Sequence, residues 1–245
     1  VKALCKEISS YTDIAKDYKI RTIFIGGGTP SYINDNFIED IMDAVKQTFV
    51  VDEDAEITIE GNPDSLTRDK LRTYLAIGIN RLSIGLQSAN DAMLATLNRV
   101  HNYDQFIAAY QSARQEGFTN INVDLMSGLP GEAADSYIRT LAKVAELNPE
   151  HISAYSLIVE EGTPLEQRDD LLDLLPSEEE DRKLYAKTKM FLKNSGYERY
   201  EISNYAKHGY ACRHNLVYWT GGEYLGVGLG ASSYLTIYME DQSVE

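Results

Sequence analysis

Short apolar runs alternate with amphipathic stretches over the first 160 residues. Residues 1–19 carry Leu4, Ile8, Tyr11 and Ile14 broadly at helical spacing. Thr22-Ile23-Phe24-Ile25 then reads as a β-type run that ends in Gly26-Gly27-Gly28-Thr29-Pro30. A helix is expected near 35–49, where Phe37, Ile41, Val45 and Phe49 recur every fourth residue on one face. The alternation repeats, with strands at 56–60, 81–86, 120–125 and 151–157 and helices at 67–76, 90–97, 103–116 and 134–147. Gly117 stands where a helix C-terminal cap belongs. Such alternation predicts parallel strands with helices packed outside them. The strand centres read as apolar, as parallel sheets covered on both faces require.

After about residue 160 the character changes. Glu160-Glu161-Gly162-Thr163-Pro164 reads as a loop, and 165–176 is acidic and Leu-rich. Ser177 with Glu180 forms a capping box before a helix that reaches about Ser195, and Gly196 ends it. From Tyr197 the chain is rich in Tyr and Gly and reads as irregular strands and loops closing one side of a barrel. Two regions are therefore expected, a partial barrel over 1–160 and an extension over 161–245.

In parallel barrels the reactive face lies at the carboxyl ends of the strands. There the first strand runs into three glycines, the second ends in Glu60 with Asn62 beyond it, the third ends in Gln87-Ser88, and the fourth carries Asp124. Arg99 and His101 lie in the connection after the third strand. Each piece alone suits an ordinary βα turn, a helix N-cap or a surface ion pair. Together they suit a small zwitterion bearing a ribose: arginine for a carboxylate, acidic and amide side chains for hydroxyls, and a glycine edge that lets backbone approach closely.

The formal net charge of −15 excludes a broad nucleic-acid surface, which needs clustered Lys and Arg, and argues against wide docking on anionic lipid. Peripheral membrane contact stays open. No run of 18 apolar residues is present, so no membrane-spanning helix is predicted. The two cysteines, Cys5 and Cys212, do not form a disulfide framework and suit a reducing cytoplasm.

Several runs resemble one family. Phe24-Ile25-Gly26-Gly27-Gly28-Thr29-Pro30-Ser31 is similar to the glycine motif of radical S-adenosylmethionine (SAM) proteins of the oxygen-independent coproporphyrinogen III oxidase branch. Glu60-Gly61-Asn62-Pro63, the Asn80–Ser88 run, Arg99-Val100-His101 and the Asn122–Pro130 run match the same branch in order and at similar spacing. The resemblance covers nearly the whole chain. It implies an α/β fold, a partial parallel (β/α)6 TIM-like barrel of the radical SAM type without its first strand and cluster loop, followed by an irregular β-rich C-terminal extension. It implies SAM binding by Gly27, Gly28, Thr29, Glu60, Gln87, Arg99 and Asp124. Arg99 would take the methionyl carboxylate and the glycine edge the ammonium side, leaving the ribose and remaining polar contacts to Glu60, Gln87 and Asp124.

Cys212-Arg213-His214-Asn215-Leu216-Val217-Tyr218-Trp219 resembles the His-Asn-x-x-Tyr-Trp signature of the haem-chaperone group within that branch. This makes His214 the haem-ligand candidate, ahead of His101, His151, His208 and the Cys212 thiolate. The resemblance implies haem or porphyrin as ligand and an acceptor haemoprotein as partner. The family's four-iron four-sulfur cluster is held by Cys-x-x-x-Cys-x-x-Cys, a segment expected upstream of Val1; Cys5 and Cys212 are too far apart in sequence to replace it. The competing expectation is the oxidase itself, which decarboxylates porphyrinogen propionates.

Overall fold

In the computed structural model residues 1–236 are described; residues 237–245, the end of the expected extension, lie outside them. Five parallel strands form the body of the sheet: β1 (Lys19–Ile25), β2 (Val50–Gly61), β3 (Arg81–Gln87), β4 (Ile121–Ser127) and β5 (His151–Ser156). They pair in sequence order, each connection crossing over through helix. Two short strands continue the sheet from the extension, β7 (Asn204–Ala206) antiparallel to β5 and β6 (Glu198–Arg199) antiparallel to β7. The seven strands curl into a half-barrel.

Strand side chains alternate between two faces, and here the two faces differ sharply. Ile57, Ile59, Leu82, Ile84, Leu86, Ile121, Val123, Leu125 and Ile152 point outward and are all buried. They pack beneath α3 (Asp35–Thr48), α4 (Arg68–Ala76), α6 (Tyr103–Glu116) and α7 (Ala134–Glu146), while α5 (Asp91–Thr96) is a short helix in the connection after β3. Each such side chain contributes roughly 1.5–3 kcal/mol by leaving water. The inward residues, by contrast, are mostly polar: Thr22, Glu56, Thr58, Glu60, Arg81, Ser83, Asn122, Asp124, His151 and Ser153, with Phe24 and Tyr155 among them. The strands are therefore not uniformly apolar, as the sequence suggested. The sheet has one oily face and one polar, concave face.

The helix ends follow their local signals. Asn102 caps α6 in a reciprocal box with Gln105, and Gly117 ends it at φ 120°. Ser177 caps α9 (Glu178–Asn194) with Glu180. The N-terminal helical stretch is split into α1 (Lys2–Ser10) and α2 (Thr12–Ala15). In α3 the buried stripe is Ile38, Ile41 and Met42, while Phe37 is 39% exposed. A strict four-residue spacing drifts around a helix of 3.6 residues per turn, so Phe37 rotates off the face that Ile38 takes. The extension is more helical than expected: besides α8 (Asp169–Leu172) and α9, the His-Asn segment itself forms helix α10 (Arg213–Trp219).

Candidate functional site

The carboxyl ends of β1–β4 bring the expected residues to one mouth. Gly27 and Gly28 both have positive φ, 85° and 84°, and face open space where a side chain would project. Gly26 has no room for one: a Cβ there would lie 2.8 Å from Glu60 Oε2. The glycine edge thus lies directly against Glu60, and the Gly27 peptide N–H favours the ionised carboxylate. Burial and the nearby Asp124 charge outweigh that and push Glu60 up to about 6.

Asn62, just beyond β2, ties the rest together. Its amide donates to Thr29 Oγ1 at 3.4 Å, and its Oδ1 accepts from Arg99 Nη2 at 2.9 Å. The loop below is braced by Ser31, whose Oγ meets Ser65 Oγ at 2.5 Å and accepts from the Asn62 peptide N–H. Gln87 ends β3 in the left-handed region (φ 65°), where a non-glycine residue is uncommon. It is 6% exposed, and its Oε1 has no hydrogen-bond partner among the described residues. A buried amide oxygen left unpaired is costly, so this one is poised for a donor from a ligand. His101 stands apart from the mouth: it is 3% exposed and its Nε2 lies 3.3 Å from Leu86 O, on the outer side of β3.

Asp124 lies further down the concave face. Burial raises its pKa, against hydrogen bonds from Asn122, Ser153 and Ser83 that favour the charged form. It ends a buried network whose proton directions follow from the groups involved. Cys212 N–H and the Asn215 amide donate to Tyr200 Oη, each at 3.3 Å. Tyr200 then donates to His151 Nε2 at 2.8 Å, His151 Nδ1–H to Asn122 Oδ1 at 2.6 Å, and the Asn122 amide to Asp124 Oδ1 at 2.8 Å. His151 is fully buried, and burial holds its pKa well below the ordinary histidine value, so the ring is neutral. This residue works inside the wall of the half-barrel and has no free nitrogen for a ligand.

Helix α10 closes the other end of the concavity. Its N-terminus is capped from β2: the two Glu56 carboxylate oxygens accept from the peptide N–H groups of Arg213 (3.1 Å) and His214 (3.0 Å) and from Cys212 Sγ (3.3 Å). A carboxylate there satisfies donors that a helix start leaves unpaired. His214 stacks on Phe24 at 5.3 Å between centroids; its Nδ1 lies 2.9 Å from Thr22 Oγ1 and its Nε2 3.0 Å from Tyr218 Oη. Burial lowers its pKa, which keeps the imidazole neutral. Tyr218 and Trp219 beside it are about half exposed, 48% and 54%. Cys212 is fully buried and its thiol is pushed up to about 11 by burial, so it is a packed thiol and not a ready thiolate ligand. His208 lies on the surface.

The mouth fits SAM by its donor set: an arginine, two carboxylates, an open glycine edge and an orphaned buried amide oxygen. The described residues do not fit an iron–sulfur cluster. No three metal-ligating side chains come together among them, and Cys5 Sγ contacts Asp40 O while Cys212 Sγ contacts Glu56. Asn62 stands among the polar residues that the sequence places at the strand ends, whereas Ser83, Asn122, Ser153 and Arg81 are site residues that it does not pick out. Their signal was present as polar residues at every second position of β2–β5.

Comparisons with known proteins agree with this architecture. The profile of the Radical SAM superfamily matches residues 5–144. Heme chaperone HemW of Mycobacterium tuberculosis (strain ATCC 25618 / H37Rv) is 38% identical over 219 residues, covering 89% of this chain and 56% of that protein. Heme chaperone HemW of Escherichia coli (strain K12) is 36% identical over 236 residues, covering 96% of this chain and 62% of that protein. The chain thus spans 56% and 62% of the length of these two relatives. Among solved structures, coproporphyrinogen III oxidase (HemN) from Escherichia coli superposes with a TM-score of 0.81 at 30% identity, over 95% of this chain and 56% of that one. The archaeal Elp3 of Methanocaldococcus infernus, at 21% identity and a TM-score of 0.60 over 76% of this chain and 48% of that one, shares the fold alone. With the matched family profile over more than half its length, this chain belongs to the Radical SAM superfamily.

Proposed function

We propose that the chain is the barrel portion of a haem chaperone, which binds haem and passes it to an acceptor haemoprotein in the cytoplasm. The observation that carries this reading is the 36–38% identity to heme chaperones over most of the chain. SAM sits at the mouth in this reading. Arg99, steadied by Asn62, takes the methionyl carboxylate, and the glycine edge faces the ammonium side. Glu60, Gln87 and Asp124 share the ribose and remaining polar contacts. A four-iron four-sulfur cluster, which the superfamily implies, requires ligands other than those described here.

His214 is the proposed haem ligand. Its ring is neutral, the form that binds iron, and its Nε2 faces the half-exposed Tyr218. Coordination through Nε2 requires the Tyr218 hydroxyl to swing away, after which Tyr218 and Trp219 are free to flank a flat macrocycle. A haem titration followed by absorbance, with His214→Ala beside the parent, tests this. The expected result is a saturable one-to-one Soret shift that weakens in the variant. Equal binding by both removes His214 as the ligand.

The resemblance to the Escherichia coli oxidase supports a second reading, porphyrinogen propionate decarboxylation. Formation of vinyl product by the intact, cluster-loaded protein favours it. Absence of product with a demonstrably loaded cluster removes it.

A further inference from the structure

Helix α9 is charged in two halves. Its first turn holds Glu178, Glu179, Glu180 and Asp181, while the stretch from Arg182 to Gly196 has five cations and no acid, in a chain of net charge −15. Leu184, Thr188 and Leu192 are buried; Arg182, Lys183, Lys187, Lys189 and Lys193 lie on the exposed side, around a Met190 that is 63% exposed. Local helix chemistry accounts for three of these cations. Arg182 and Lys183 pair one turn back with Glu178 at 3.6 Å and Glu179 at 2.6 Å. Lys193, in the last turn, meets the negative end of the helix dipole, whose reach is about one turn. Lys187 and Lys189 lie before that turn and form no ion pair or hydrogen bond among the described residues.

The cationic face runs on into β6 and the turn beyond it. Tyr185, one turn before Lys189, donates to Ile202 O at 2.9 Å, and the Arg199 guanidinium stands over the Tyr185 ring at 5.7 Å. Next to them is a surface cleft of about 230 Å³ lined by Arg199, Tyr200, Glu201, Ile202 and Trp219, with Ile202 58% exposed. Two acids share this face. The Glu201 carboxylate is turned onto the peptide N–H groups of Ile202 (2.5 Å) and Ser203 (2.9 Å), and Glu198 is exposed on β6 beside Arg199. Lys187, Lys189, Lys193 and Arg199 outnumber them. A charged rim around an apolar and aromatic cleft is the plan of a protein–protein interface. A lipid surface fits less well. Ala186 and Met190 are the only apolar residues on the exposed side of α9, whereas a helix lying in a membrane interface needs a broad apolar face, and anionic headgroups would also meet the acidic first turn.

We propose that this face docks an acidic protein partner, which seats one apolar side chain in the cleft beside Ile202 and lays carboxylates over Lys187, Lys189 and Arg199. The cleft is below the roughly 300 Å³ at which sites for drug-sized ligands begin, which suits a single anchoring side chain. Its far wall, Trp219, belongs to α10, so an acceptor docked here stands beside the helix that bears His214. Only that last step rests on the haem reading.

The test uses the intact protein without haem and labelled synthetic peptides, read by fluorescence anisotropy at low salt. One peptide places glutamates around a central leucine, a second replaces that leucine by glycine, and a third replaces the glutamates by glutamine. The first is expected to bind saturably and the other two about tenfold more weakly. Lys187→Glu/Lys189→Glu is expected to weaken the first peptide about tenfold or more, and Ile202→Ser to remove the preference for leucine over glycine. The control, Lys2→Glu/Lys6→Glu on the exposed side of α1, changes the net charge equally and is expected to bind as the parent does. All of these positions are exposed, and a thermal melt checks that each variant is folded. Equal affinity for the three peptides, or equal losses in the two lysine pairs, overturns the proposal. Binding to phosphatidylglycerol vesicles that Lys187→Glu/Lys189→Glu abolishes, with no peptide binding, assigns the face to lipid and also overturns it. Either failure leaves the haem reading untouched, because no haem is present.

Discussion

Gly85 offers a sharp test of the mouth. It lies inside β3 at a shift in the register with β4, and its φ is not positive, so alanine suits the backbone. A Cβ there would lie 2.8 Å from Gln87 Nε2, 3.2 Å from Asn62 Oδ1 and 3.5 Å from Arg99 Nη2. One methyl group therefore presses on three groups of the candidate SAM site at once. Overpacking costs about 1–3 kcal/mol, while replacing glycine by alanine stabilises by about 0.4–1 kcal/mol through the unfolded chain. The net loss of stability is then about 0–2.6 kcal/mol. Binding suffers more, because moving Gln87 and Arg99 sacrifices at least one charge-assisted hydrogen bond of about 1.5–3 kcal/mol. SAM affinity should fall about tenfold or more, since 1.4 kcal/mol is a factor of ten. Calorimetry with SAM on the intact protein, beside a thermal melt, reads both quantities. A folded Gly85→Ala protein whose SAM affinity is within twofold of the parent refutes the assignment of Gln87, Asn62 and Arg99 to the site.

Arg99→Ala should weaken SAM by about 1.5–3 kcal/mol with little change in Tm, and unchanged calorimetric affinity removes Arg99 from the site. His151 is held neutral when folded but takes a proton near pH 6.5 when unfolded, so stability falls as pH drops below 6.5, by about 1.4 kcal/mol per pH unit. His214 acts in the same direction, whereas Glu60, raised to about 6, opposes it below that pH. His151→Gln should flatten the loss between pH 6.5 and 6, and a melt series with an unchanged slope refutes this. Cys5 should react with a thiol reagent in the native protein and Cys212 only on unfolding, because Cys212 is fully buried with its thiol pushed up to about 11. Reaction of two thiols at equal native rates would contradict the packing of α10.

The strands and most helices were legible because β-type runs and helical spacing separate cleanly before residue 160. The placement of Gly27, Gly28, Thr29, Glu60, Gln87 and Arg99 around one mouth was legible because barrel chemistry collects at strand ends, whereas Asp124 lies further down the concave face. What the sequence concealed was mostly set by partners distant along the chain. Arg213–Trp219 holds too many aromatic and β-branched residues to announce a helix, and its capping carboxylate, Glu56, stands on β2. Arg81 and His151 begin strands and read there as ordinary flanking polar residues. Only the curl of the sheet turns them inward. Gln87 required a backbone angle that no local pattern signals.

The capping of α10 by Glu56 also bears on how the molecule assembles. A residue of the second strand waits for a helix more than 150 positions later, as the Glu56–Arg213 separation of 157 shows. Contacts of such long sequence separation form late, because the loop entropy must be met first. During synthesis the polar concavity therefore stays open until Cys212–Trp219 has emerged. Until then Glu56 stands on β2 with no helix start to cap, and the seating of α10 is among the last steps of folding.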